Sequence, residues 1–177
     1  MRLETERLLL RSPRLEDAGA FAAMYADPEV MEFIGGVAET IDMEFVVGRW
    51  LERWDANGFG PLVVERRDDG GPVGRTGLLV WDARTWQVAT LAEAGEHAQP
   101  EIGWAFARAH WGRGYATEAA RAVREWARGT LGIDRLISVI APGNARSIRV
   151  AERLGCAPGE LVELFDGSPA VIWEHPR

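Results

Sequence analysis

The stretch Trp111-Gly112-Arg113-Gly114-Tyr115-Ala116-Thr117-Glu118-Ala119-Ala120 constrains this chain more than any other. Two glycines in a short loop run straight into a helix pattern. The segment before them, Glu101-Ile102-Gly103-Trp104-Ala105-Phe106-Ala107, reads as a strand. A strand, a glycine loop and a helix N-terminus in that order make an anion site, because loop N–H groups turn inward and the helix dipole adds partial positive charge. A pyrophosphate is the natural guest. The pattern G-x-x-x-x-G-K-[ST] is absent, and Thr117 stands where a dinucleotide fingerprint needs its third glycine. A plain connecting turn is the alternative reading of the same residues.

The remaining pattern surrounds this unit with alternating elements. Arg7–Arg11, Pro61–Arg66, Pro72–Trp81, Arg135–Ile140, Leu161–Phe165 and Ala170–Trp173 read as further strands. Helical spacing covers Leu15 to Tyr25, a longer stretch ending at Asn57-Gly58, the run from the loop to about Leu131, and Asn144 to Leu154. Met31 to Ala38 is a loop or short helix. Trp86 to Leu91 could extend a hairpin, and Ala92 to Gln99 reads as exposed loop. In the helix after the glycine loop, Ala116, Ala119, Ala120, Val123 and Ala127 share one face; Glu118/Arg121 and Glu125/Arg128 are expected to pair on the other. The order β α α β β β α β α β β predicts one α/β domain with a mixed sheet over residues 1–177.

Composition narrows the function classes. Apolar residues make up 47% of 177, enough to bury a core. A net charge of −7 disfavours nucleic acid as partner. All 20 basic residues are arginine, which excludes a catalytic lysine. The single cysteine, Cys156, excludes an internal disulfide framework and suits a reducing cytoplasm. No signal peptide is expected at the N-terminus, and no apolar stretch reaches the roughly 18 residues of a membrane span. His97, His110 and His175 have no metal-ligand spacing, so no metal is expected.

Asn144-Ala145-Arg146-Ser147 opens the last helix. Asn144 suits a helix cap, though a cap amide can also reach a ligand crossing the helix end. With this segment the chain resembles the GNAT N-acetyltransferase superfamily, and within it the branch that acetylates the N-terminal alanine of ribosomal proteins (RimJ/RimL-like). The resemblance spans nearly the whole chain. It rests on Thr5-Glu6-Arg7-Leu8-Leu9-Leu10-Arg11, Asp27-Pro28-Glu29-Val30-Met31, Glu101-Ile102-Gly103-Trp104, the glycine loop, and Asn144-x-x-Ser147 followed by Glu152-Arg153-Leu154-Gly155.

The resemblance implies a roughly seven-stranded, mostly antiparallel sheet splayed at its centre, with about four helices. It implies acetyl-CoA as co-substrate and direct acetyl transfer to a primary amine in a ternary complex. By carry-over, the backbone of Gly112, Arg113, Gly114, Tyr115, Ala116 and Thr117 holds the CoA pyrophosphate, and Trp111 stands where the family usually has Gln or Arg. Main-chain groups of Trp104, Ala105 and Phe106 bond the pantetheine amides and the thioester carbonyl. Asn144 touches the pantetheine arm.

Glu101 is the candidate base, acting directly or through water; the alternative is an exposed strand-end glutamate. Ser147 is the candidate donor to the thiolate sulfur; the alternative is a first-turn serine satisfying helix N–H groups. Many relatives place a tyrosine acid seven residues after the asparagine, and here that position is Ala151. Cys156 reads as a small core residue. Trp50, Trp54 and Trp86 are core anchors or acceptor-pocket walls. Arg146, Arg149 and Arg153 form a solvated face, or one meets the CoA 3′-phosphate. The acceptor, a peptide or small-molecule amine, is expected near Met31–Ala38, the second helix and the Arg84–Gln99 loop. A homodimer is compatible with this reading. Alternatives are another acyl donor such as succinyl-CoA, or a non-catalytic CoA-binding sensor.

Overall fold

The computed structural model describes residues 1–35 and 42–177, so the 36–38 part of the Met31–Ala38 segment lies outside the described residues. The chain divides into two compact units, one of Met1–Gly77 with Trp104–Ala122, the other of Leu78–Gly103 with Val123–Arg177.

The first unit opens with an antiparallel ladder. Its strands are β1 (Arg2–Glu4), β2 (Leu8–Arg11), β3 (Pro61–Arg66) and the start of β4 (Pro72–Asp82). Leu3 faces Leu10, Leu10 faces Val64 and Val63 faces Arg75. β2 alternates between buried Leu8 and Leu10 and half-exposed Leu9 and Arg11, the period-two signature of a strand with one covered face. β3 instead buries Leu62, Val63 and Val64 in succession, as a strand covered on both faces must. Among the described residues this unit holds α1 (Ala18–Tyr25), α2 (Pro28–Met31), α3 (Met43–Asn57) and the first turns of a further helix from Tyr115. Asp27 caps α2 by accepting from Glu29 N–H, and Asp42 caps α3 by accepting from Phe45 N–H. Phe21, Met24, Tyr25, Val30, Met31, Val47 and Trp50 cluster with Val63 and Ala105. The Phe21 and Trp50 rings meet edge-on at 5.2 Å. Each fully buried side chain of this size contributes roughly 1.5–3 kcal/mol.

The second unit carries the rest of β4 and β5 (Gln87–Ala89), which pair antiparallel with Val80 opposite Ala89. It continues through α4 (Leu91–Ala94), β6 (Ala98–Phe106, to Gly103), the later turns of α5 (Tyr115–Leu131), β7 (Ile137–Ile140), α6 (Ala145–Arg153), β8 (Ala157–Glu163) and β9 (Pro169–Glu174). β6 runs parallel to β7, and their pairing is confined to Glu101 opposite Ile137. β9 pairs antiparallel with both β7 and β8. The class is the expected one: mixed α/β, with a large and mostly antiparallel sheet.

The structure adds to the expected seven strands and four helices. β1 is an extra strand of three residues, β5 is the hairpin extension that Trp86–Leu91 offered, and α2 and α4 are extra single turns. The Ala92–Gln99 segment is not a loop. Thr90 and Glu93 form a reciprocal capping box on α4, a 3-10 turn covers Gly95–His97, and β6 already begins at Ala98. The C-terminal hairpin's first strand is Ala157–Glu163 rather than Leu161–Phe165. On α5, Ala119, Ala120, Val123 and Ala127 are fully buried, as the periodicity requires.

Candidate functional site

In the first unit, β6 ends at Phe106 and a 3-10 turn, Arg108–His110, leads to the glycine loop. Ala105 belongs to the buried core. β4 approaches this strand end so closely that a Cβ on Gly74 would lie 2.4 Å from Ala105 O. Only glycine fits there, which holds the Trp104–Phe106 backbone in place. Trp111 adds a second restraint, because its indole Nε1–H donates to Phe106 O at 2.7 Å while its ring packs against the helical core. The Trp111 side chain therefore props the strand end from inside.

Gly112 and Gly114 have φ of +72° and +81°, a region that favours glycine. Gly112, Arg113 and Gly114 are exposed. α5 starts directly afterwards, and its first backbone bond runs from Glu118 N–H to Gly114 O at 3.0 Å. The N–H groups of Tyr115, Ala116 and Thr117 precede that bond and have no acceptor within the helix. Thr117 Oγ1 is buried without a hydrogen-bond partner among the described residues. Open N–H groups at a positive helix end, beside an orphaned hydroxyl, suit a phosphate oxygen.

The loop is tied to the start of the chain. Glu118 does not pair with Arg121 as the helical spacing suggests. Its Oε1 accepts from Thr5 Oγ1 at 2.6 Å and from Arg7 N–H at 3.0 Å, and its Oε2 accepts from Arg7 Nε at 2.7 Å. Arg7 Nη1 also donates to Arg113 O at 2.9 Å, and its guanidinium lies 4.8 Å from the Tyr115 ring centre. Burial pushes the Glu118 carboxyl up, but the bonds from Thr5 and Arg7 outweigh it and hold the group below its usual range. Likewise Arg128, expected to pair with Glu125, donates to Pro176 O in the second unit.

The second unit holds Glu101, Asn144 and Ser147. Glu101 is no exposed strand end: it is 7% exposed. Its Oε2 accepts from Trp81 Nε1–H at 2.5 Å and its Oε1 from Val139 N–H at 3.2 Å. The carboxylate thus joins β4, β6 and β7 where main-chain pairing of β6 with β7 stops. One residue on, Ser138 Oγ donates to Ile102 O at 2.7 Å. With its proton so used, Ser138 must accept from His175 Nε2–H, 3.1 Å away. Burial, reinforced by the charges of Arg124 and Arg128, pulls His175 down to about 4, so it is neutral at pH 7. Sequence spacing gave no sign of this Ser138–His175 pair.

Asn144 caps α6, its Oδ1 accepting from Ser147 N–H at 3.0 Å. Both residues are partly exposed. Ala151 is fully buried, and its methyl group carries no proton to deliver. Cys156 is buried, and burial raises its thiol to about 11 against the pull of Arg124 and Arg128. It is a core residue, not a nucleophile. Trp50 is core, and Trp54 donates to Pro61 O at 2.7 Å. Trp86 sits at the turn into β5 with φ of +50°. Among the described residues, no group of three or more His, Cys, Asp or Glu could hold a metal, and no helix is long and apolar enough to cross a membrane.

Comparison with known proteins supplies the decisive observation. The model of the acetyltransferase (GNAT) domain family matches residues 7–157. The chain belongs to the GNAT acetyltransferase family. An uncharacterized protein of Bacillus subtilis (strain 168), YkkB, is 30% identical over 177 residues, covering 98% of this chain and 95% of its own. An acetyltransferase from Agrobacterium tumefaciens str. C58 has the same fold, with a TM-score of 0.81 and 29% identity, over 100% of this chain and 95% of that one. The aminoglycoside acetyltransferase AAC(6′)-Ib, solved in complex with coenzyme A, shares the GNAT fold with a TM-score of 0.75 at 20% identity, over 96% of this chain and 95% of that one.

Proposed function

We propose that this GNAT acetyltransferase moves an acetyl group from acetyl-CoA to a primary amine, as one cytoplasmic domain over residues 1–177. The observation that carries the reading is the exposed Gly112–Gly114 loop, with both glycines at positive φ, opening α5 beside the unpartnered Thr117 hydroxyl. A CoA-bound relative of the same fold supports it.

The main-chain N–H groups of Gly112 to Thr117 bind the pyrophosphate, and the backbone of Trp104, Ala105 and Phe106 bonds the extended arm as an added strand would. The Phe106 carbonyl already serves Trp111, so its N–H and the other groups of this stretch carry that contact. Asn144 offers its amide nitrogen to the arm, since its oxygen caps α6.

Glu101 takes the proton shed by the amine, directly or through a water, as the new C–N bond forms and the C–S bond breaks. A free α-amine has a pKa of about 8, so a weak base suffices at neutral pH. A main-chain N–H of the parted strand meets the charge developing on the carbonyl oxygen. Ser147 donates a hydrogen bond to the departing thiolate; with Ala151 in the tyrosine position, the proton comes from water, directly or relayed through the Ser147 hydroxyl.

The motif order places the chain near the ribosomal-protein-alanine branch, but the acceptor is better defined as a class: a peptide N-terminus or a small-molecule amine. Thiol release from acetyl-CoA, measured over a panel of amines and N-terminal peptides, tests this. Turnover of at least one amine supports an enzyme. Tight acetyl-CoA binding with no turnover would instead mark a non-catalytic CoA-binding module. Faster turnover with succinyl-CoA would reassign the donor.

A further inference from the structure

We infer that Thr5, Arg7 and Glu118 form a clamp that sets donor affinity by fixing the orientation of the Arg113–Gly114 peptide. The inference rests on the acetyl-CoA reading above. Arg7 Nη1 donates to Arg113 O, and in a trans peptide the carbonyl and the following N–H point opposite ways. Drawing Arg113 O toward Arg7 therefore aims Gly114 N–H away from it. A loop of two positive-φ glycines has many other conformations available, so it needs such a restraint to keep its N–H groups convergent.

The clamp also solves an electrostatic problem. Glu118 lies in the first turns of α5, where a bare carboxylate would repel a diphosphate. Here its two oxygens are occupied by Thr5 Oγ1 and by the backbone and side chain of Arg7, with Arg7 Nη2 at 2.5 Å. Arg7 neutralises the acid, and the helix end keeps its positive character. Only arginine supplies both functions, since one fork reaches the carboxylate and the loop carbonyl together. Gly114 belongs to the same loop through its φ of +81°, since a Cβ there would make only ordinary contact, 3.5 Å, with Arg7 Nη2. Thr5, Arg7 and Glu118 are positioning residues: they act on the donor through the loop.

The test compares acetyl-CoA with S-acetyl-pantetheine, which lacks the pyrophosphate. Arg7→Ala should raise KM for acetyl-CoA about tenfold, the cost of one charge-assisted contact, with kcat within about twofold. Turnover of S-acetyl-pantetheine should be unchanged, and Arg7→Lys should not restore the acetyl-CoA KM. Glu118→Gln, a milder change, should show the same split if Arg7→Ala folds poorly. Equal losses on both donors, or no change on either, would overturn the clamp. Amide exchange adds a readout that needs no donor: the Glu118 N–H, bonded to Gly114 O of the loop, should exchange faster in Arg7→Ala, and unchanged exchange would overturn the clamp too. If the wild-type protein neither binds nor uses acetyl-CoA, the acetyltransferase reading falls, and the exchange result still decides the clamp.

Discussion

The loop at Gly112–Thr117 and the strand parting at Glu101–Val139 solve opposite problems. The loop exposes Gly112, Arg113 and Gly114 to solvent, and side chains from 106 to 113 residues upstream, Thr5 and Arg7, hold it from behind. At the parting, main-chain pairing ends after one residue pair, and buried side chains bridge what the backbone leaves open. A site that binds through backbone tolerates side-chain change except where the backbone conformation itself depends on it. A site built from buried polar side chains tolerates almost none, because each lost partner leaves a desolvated group behind.

The largest expected effect tests the loop. Gly114→Asp forces a β-carbon into φ of +81° and puts a carboxylate beside the phosphates. Acetyl-CoA affinity measured by calorimetry should fall more than about 100-fold; an unchanged affinity would break the loop half of the comparison.

Next comes the parting. His175 is held neutral, with its folded pKa near 4 against about 6.5 unfolded. Its contribution is fully present above pH 6.5 and is lost as pH falls toward 4, because the unfolded chain then takes up the proton first. The loss amounts to about 3 kcal/mol across that window. Urea unfolding at pH 7 and pH 4.5 should show a drop that His175→Gln removes; an equal drop in the variant would assign it to other groups.

Glu101→Gln should cut kcat about 100-fold and leave donor affinity near normal. It would also flatten the pH dependence of turnover; a wild-type pH profile in the variant would reject Glu101 as base and leave it the purely structural role of joining Trp81 to Val139.

The smallest effect sharpens the contrast. Trp111→Phe removes the bond to Phe106 O and should cost about 1 kcal/mol of stability by denaturant titration. Acetyl-CoA affinity should barely move if the loop binds, as proposed, through its main chain; a large loss would make Trp111 a ligand contact.

How much of this was legible in the residue order depends on range. The glycine loop, the Asn144 cap, the stop at Gly58 and the buried face of α5 all follow from interactions within a few residues, and all appear where the pattern puts them. α4 carried an equally local sign, Thr90-x-x-Glu93, and was missed because four residues give no periodicity to see. Glu118 shows the limit in the other direction. Its spacing to Arg121 is correct for a helix pair worth only about 0.2–0.5 kcal/mol. Arg7, in the bend before β2, outcompetes it because its backbone and side chain together bond both Glu118 oxygens.

By itself, then, the sequence determined the family, the fold class and the glycine loop that opens α5, because these rest on local backbone preference and on motifs whose order is visible in one dimension. Only the tertiary structure decided that Arg7 backs the loop, that Glu101 is a buried link between three strands, and that Ser138 and His175 continue that link. Each of those contacts joins residues 20 or more positions apart. Hydrogen-bond partners at such range leave no periodic trace in a single sequence; they are chosen when folding removes water and every buried donor must find an acceptor.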